Sequence, residues 1–162
     1  MRRLFFLYLH MSYAVQPIAL VSNTRKDPGD DAWGSILFEI HLTDSVSEDA
    51  LAGIEDFSHL EIFYIFHQAT SATIVWTAEH PRENPDLPKV CIFAQRKKNR
   101  PNHIGSTIVE LVEVKGRTLT VKNLDAIDGT PVIDIKPVMK EFLPLSEVRQ
   151  PEWSVELMKN YW

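Results

Sequence analysis

Two polar blocks, set about twenty residues apart, hold the residue types with which this chain could do chemistry. The first is Phe93-Ala-Gln-Arg-Lys-Lys-Asn-Arg-Pro-Asn-His-Ile-Gly105; the second is Leu124-Asp-Ala-Ile-Asp-Gly-Thr-Pro-Val-Ile-Asp-Ile-Lys-Pro137. Both are rich in turn residues and lie between apolar runs, which is where binding and catalysis concentrate. In the first block, Arg96, Lys97, Lys98 and Arg100 put four cations into five residues. A charge run is usually just a solvated loop. Here Pro101 fixes its own backbone and holds Arg100 extended. Stiffly held Arg and Asn side chains suit a phosphate or the edge of a planar base. Gly105 permits close backbone approach where the next strand begins. The second block supplies Asp125, Asp128 and Asp134. Asp128-Gly129-Thr130-Pro131 is ordinary turn chemistry, and Asp134 can pair with Lys136 on one strand face at little energetic consequence. If the two blocks face each other across a pocket, Asp125 or Asp128 could orient an adenosine or accept a proton from an exocyclic amine.

Other chemistries find less support. His59 and His67 share a strand face with Glu61 between them, but on a straight strand they stand roughly 26 Å apart, too far to share an ion. His-x-His and Cys-x-x-Cys spacings do not occur, so no metal site is expected. His67, followed by Gln68, is either a polar strand end or a donor and acceptor pair at a barrel rim. The six glycines never form Gly-x-Gly-x-x-Gly or a phosphate loop. The lone cysteine, Cys91, excludes an internal disulfide and fits a reducing compartment. In its apolar run it reads as a small buried hydrophobe.

The elements that must position these blocks are mostly strands. In Gly34–Leu42, Ile36, Phe38, Ile40 and Leu42 alternate onto one face. His59–His67 is apolar on nearly both sides and should be central. Pro17–Ser22, Thr73–Ala78, Lys89–Ala94, Ile104–Val114, Thr118–Asn123 and Val132–Lys136 complete seven or eight predicted strands, with a hairpin turn at Lys115-Gly116. Helical signals are few. Ser47–Gly53 has a serine cap, early acids and a glycine stop. Trp153, Leu157 and Tyr161 recur every fourth residue, as on a short docked amphipathic helix. Strands without regular crossover helices predict a mainly β fold, a mostly antiparallel barrel with a few short helices. The 162 residues make one domain, with 12–162 as its body and 1–11 as an over-long start: six apolar residues after Arg2-Arg3 are too short for a signal peptide or a membrane span. The net charge of −5 disfavours a general nucleic-acid coat and leaves room for a local basic patch.

From about Pro17 to Pro137 the chain resembles the TrmO and TsaA family of methyltransferases. The pattern Phe-Ala-x-Arg-x-x-x-Arg-Pro-Asn-x-Ile-Gly stands at Phe93–Gly105, and Leu-Asp-x-x-Asp-Gly-Thr-Pro-x-x-Asp-Ile-Lys-Pro at Leu124–Pro137; Phe66-His67-Gln68 ends the central strand. The resemblance implies a small β-barrel, a cytoplasmic homodimer, that uses S-adenosylmethionine to methylate threonylcarbamoyl-adenosine beside the anticodon of tRNA. It implies cofactor contacts from His67, Gln68, Arg96, Ser106, Lys122, Asn123, Leu124 and Asp125. Lys97, Lys98, Arg100, Asn102 and Lys136 would meet the tRNA. Asp125 or Asp128, or else water, would take the proton; the alternative readings are a methyltransferase acting on another acceptor and a non-catalytic barrel that binds S-adenosylmethionine or nucleic acid. The chain departs from the pattern at two places. Asp30-Asp-Ala-Trp33 stands where many members have a Pro-Arg-Gln-like stretch, and His103 stands where proline is common.

Overall fold

The computed structural model describes residues 12–162, so the apolar start at 1–11 lies outside the described residues. Six strands close a barrel: β1 (Ala19–Ser22), β2 (Leu37–Leu42), β3 (His59–Ile65), β4 (Ile104–Lys115), β5 (Thr118–Lys122) and β6 (Pro131–Pro137). Their spatial order is β1-β2-β5-β4-β3-β6, with β6 returning to β1, and every pairing is antiparallel.

Period-two alternation explains the core. Phe38, Ile40 and Leu42 of β2 turn inward while Leu37 faces out; Leu60, Ile62 and Tyr64 do the same on β3, and Leu119 and Val121 on β5. Phe63 and Ile65, on the other face of β3, are half-buried. β3 sits between β4 and β6, as its two-sided apolarity predicts. The β4–β5 hairpin turns at Gly116, whose φ of 56° lies in the left-handed region. The barrel closes through a short seam, in which β1 meets β6 only at Ala19–Val132 and Leu20–Pro131.

Four expectations are corrected. Among the described residues the strands number six. Thr73–Ala78 and Lys89–Ala94 do not pair into the sheet; they belong to the long β3–β4 excursion, which carries 3-10 turns at Ser71–Thr73 and Ile92–Ala94 and one isolated bridge, Glu79–Val90. The closed barrel offers no free edge for them to join. Ser47 does cap a turn, accepting from Asp49 N, but the element is a 3-10 turn over Glu48–Leu51. Cys91 is exposed, because the run that carries it lies outside the barrel.

The C-terminal helix α1 spans Glu152–Leu157, so Trp153 and Leu157 are helical and Tyr161 follows in the tail. Among the described residues, no helix is long and apolar enough to cross a membrane.

Candidate functional site

The alternating strand directions bring three loops to one end of the barrel. These are the β1–β2 loop, the β3–β4 excursion with the basic block, and the β5–β6 loop with Asp125 and Asp128. A cavity of about 150 Å³ opens there, walled by Phe63, Tyr64 and Phe66 from β3 and the residue after it, by Gly105 and Ser106 of β4, and by Arg96, Arg100 and Asp125. One cation-bearing loop and one carboxylate-bearing loop therefore do meet across a pocket.

Asp125 is steered there by its neighbours. Asn123 adopts φ 62°, which turns the chain sharply out of β5. Leu124, Ala126 and Ile127 are buried and pin the loop on both sides. Burial pushes the Asp125 carboxyl above its ordinary value, while the Tyr161 hydroxyl, which donates to Oδ2, and the charges of Arg96, Arg25 and Lys98 pull the other way. Tyr64 is buried at the cavity floor with its hydroxyl 3.1 Å from Thr107 Oγ1; burial and the Asp125 charge hold its phenol well above its usual range. Its ring meets Phe66 edge-on, with centroids 5.3 Å apart. A Cβ on Gly105 would come within 2.4 Å of the Tyr64 ring, so the absence of a side chain there leaves the floor its shape.

Arg96 reaches over the wall and donates through Nη2 to the Ser106 carbonyl. Its neighbours are committed elsewhere. Lys97 pairs with Glu79, Lys98 Nζ donates to Pro28 O at 3.1 Å, and Arg100 Nη1 to Gln95 O at 3.3 Å. These bonds fasten the basic block to the rest of the excursion and to the β1–β2 loop. Asn102 and His103 both have positive φ, 63° and 52°. The stiff Arg-Pro-Asn segment is thus a tight turn that presents Asn102 to solvent.

Several expected site residues stand apart from the cavity. Asp128 braces the β1–β2 loop: it accepts from Asn23 N at 3.1 Å and pairs with Lys26, and the Lys26 contact, followed by the Asn23 bond, holds its carboxyl below the usual range. His67 and Gln68 are exposed in a turn closed by Ala69 N and Phe66 O. Lys122 pairs with Glu110 at 3.1 Å, and Leu124 is wholly buried, so it acts as an anchor. Lys136 pairs with Asp134, as the shared strand face suggests. Among the described residues, no group of three or more His, Cys, Asp or Glu could hold a metal ion.

Sequence reasoning missed Tyr64, Arg25 and Tyr161. Tyr64 was legible as an inward position of β3, but its place beneath the basic block was not. Arg25 stacks over the ring of buried Trp33 at 3.6 Å, an arrangement with no signature in spacing.

Comparison with known proteins adds the following. The model of the tRNA-methyltransferase O N-terminal domain matches residues 27–142. A probable S-adenosyl-L-methionine-binding protein of Pyrococcus abyssi is 34% identical over 149 residues, covering 88% of this chain and 77% of its own. The tRNA (adenine(37)-N6)-methyltransferase of Escherichia coli is 40% identical over 114 residues, 67% of this chain, but the chain spans only 46% of that enzyme. The crystal structure of TrmO from Pseudomonas aeruginosa superposes with a TM-score of 0.69 at 25% identity, covering 88% of this chain and 62% of that one.

Proposed function

The chain belongs to the family of the tRNA-methyltransferase O N-terminal domain, and from that membership we propose that it transfers a methyl group from S-adenosylmethionine to the N6 nitrogen of threonylcarbamoyl-adenosine next to the anticodon of tRNA. The observation that carries the reading is that Arg96 and Asp125 line the same aromatic-walled cavity, built from both motif blocks.

The residues present fit the donor. A guanidinium suits its carboxylate, an aspartate suits its hydroxyls or ammonium, aromatic rings suit its adenine, and Gly105, lacking a side chain, lets the Tyr64 ring lie flat as the floor. The cavity is smaller than the roughly 300–1,000 Å³ of clefts that enclose a ligand of this size. Part of the donor would therefore extend past the rim, towards Ser106, Lys122 and the His67-Gln68 turn. S-adenosylmethionine supplies a methyl already activated on a sulfonium sulfur. The protein's task is then to hold and align its two substrates and to receive one proton from the attacking amine. Asp125, with its affinity for protons raised by burial, suits that last role. Asp128, which braces a loop and is held below the usual range, does not.

The same reading has the protein working in the cytoplasm as a homodimer. Leu20, Leu37 and Ile108 are exposed singly on β1, β2 and β4, so the dimer rests on the family reading; a purely monomeric sedimentation profile at high concentration would count against it. Lys98, Arg100 and Asn102 would face the tRNA, with Lys97 and Lys136 contributing less because Glu79 and Asp134 neutralise them. Replacing Lys98 and Arg100 by alanine is expected to flatten the dependence of log affinity on log salt by roughly 0.7–0.9 for each cation lost. An unchanged slope in a filter-binding titration would remove the basic block from the RNA interface.

The deciding experiment incubates the protein with S-adenosylmethionine and tRNA bearing threonylcarbamoyl-adenosine, followed by nucleoside mass analysis. A product heavier by one methyl supports the reading. No product from folded protein at high enzyme concentration sinks it.

A further inference from the structure

The segment after α1 reaches the candidate site through Tyr161, whose hydroxyl bonds Asp125, and three further contacts hold it in place. Ala32 N donates to Asn160 O at 2.9 Å and Trp33 N to Tyr161 O at 2.8 Å, two backbone bonds from the β1–β2 loop. Gly34 lies so close beneath Trp162 that an added Cβ would come within 2.6 Å of its carbonyl carbon. The Tyr161 ring packs on the core cluster and meets Trp162 edge-on, with centroids 4.9 Å apart. From that anchored position the Tyr161 hydroxyl donates to Asp125 Oδ2. Asp30–Trp33, the stretch that departs from the family pattern, is thus the stretch that grips the tail.

We infer that the tail braces the methyl-donor site from outside the cavity and that Tyr161 is a positioning residue, its hydroxyl setting the orientation of the Asp125 carboxylate towards the cavity. The inference rests on the proposed use of S-adenosylmethionine for its ligand, though not for its geometry. Asp125 lies on a loop whose buried neighbours fix its backbone but leave the carboxylate free to rotate. A charge-assisted bond from a phenol that cannot move removes that freedom. The groups facing this carboxylate are Tyr161 from the tail, Tyr64 from β3, Arg96 and Lys98 from the basic block, and Arg25 from the β1–β2 loop. Tyr161 is the one that both donates directly to it and packs, partly buried, against the core.

The test compares wild type with Tyr161→Phe, which keeps the ring and its packing, and with Gly34→Ala, which leaves every cavity side chain in place and displaces the tail. Calorimetric titration with S-adenosylmethionine across pH is expected to show affinity about tenfold lower in Tyr161→Phe, with the pH midpoint of binding moved up. Loss of the donor leaves burial less opposed, so the carboxyl ionises later; raising the pH should recover part of the loss, which a packing defect would not do. Gly34→Ala should reproduce both changes. Wild-type affinity and an unmoved midpoint in Tyr161→Phe would overturn the inference, and tighter binding would overturn it by showing that the tail competes with the ligand. Titration of the Asp125 carboxyl by carbon NMR without ligand provides the separation. If wild type binds no S-adenosylmethionine, the functional reading fails. The positioning contact is still judged by whether the Asp125 midpoint rises in Tyr161→Phe, and an unmoved midpoint there refutes it.

Discussion

Asp125→Asn is expected to lose S-adenosylmethionine affinity by one to two orders of magnitude while making the ligand-free protein more stable near neutral pH. The loss follows from removing the acceptor charge from a desolvated cavity, where a hydrogen bond to a charged group is worth about 1.5–3 kcal/mol. The gain follows from linkage. Burial holds the folded carboxyl above its ordinary value, so between the unfolded and folded midpoints the native state binds more protons than the unfolded state. Stability is therefore fully present below the unfolded value and is lost as pH rises through the folded one. Asparagine keeps an oxygen for the Tyr161 hydroxyl and carries no charge to bury. Melting curves from acid to neutral pH should show wild type losing stability with rising pH relative to the variant, and calorimetry should show the binding loss. Equal affinity in the two proteins would remove Asp125 from the site. Parallel melting profiles would mean that its ionisation carries no cost.

Gly105→Ala should be the most destabilising single methyl that can be added to this barrel end. The new Cβ would stand 2.4 and 2.6 Å from Tyr64 Cε2 and Cζ and 3.0 Å from Phe66 Cζ. Tyr64 cannot swing aside without cost, since its ring is enclosed and its hydroxyl is held by Thr107. Overpacking of this kind costs about 1–3 kcal/mol, and a buried hydroxyl left without its partner a similar amount. A loss of about 3 kcal/mol corresponds to roughly 6–12 °C in melting temperature for a domain of this size. A shift of only a degree or two would mean that the aromatic floor gives way freely, and the cavity would then not owe its shape to Gly105.

The barrel was legible in the sequence wherever a strand turns one face to the core. Phe38, Ile40 and Leu42 alternate because one side meets the core, and β3 reads as apolar on both sides because Phe63 and Ile65 on its outer face are half-covered. Thr73–Ala78 and Lys89–Ala94 have the same local character and failed as strands for a non-local reason: the ring closes at six, and three prolines in the intervening loop, Pro81, Pro85 and Pro88, lack the N–H that a ladder needs. The cavity shows the same division. Arg96, Ser106 and Asp125 sit in ordered motifs and could be named beforehand. Tyr161 reads as the last position of an apolar helical stripe, and nothing in its spacing reveals that the helix stops at Leu157 and that the phenol then turns to Asp125. His67 and Gln68 follow the central strand as expected, yet stand on an exposed turn outside the enclosed part of the site.

The brevity of the β1–β6 seam has a kinetic meaning. The β4–β5 hairpin joins near neighbours in the chain, whereas the seam and its brace from Asn23 to Asp128 join residues separated by 105 positions or more. Contacts at that separation must overcome the loop-closure entropy of most of the chain, so they form late in folding and open early in native fluctuations. The amides of Ile18 and Val21, which donate to Val132 and Thr130 across this join, should exchange with solvent before those at the heart of β3; equal protection would contradict this order. The loop that carries Asp125 runs directly into the seam. The first partial unfolding of the molecule would thus dismantle its candidate site while most of the barrel still stands.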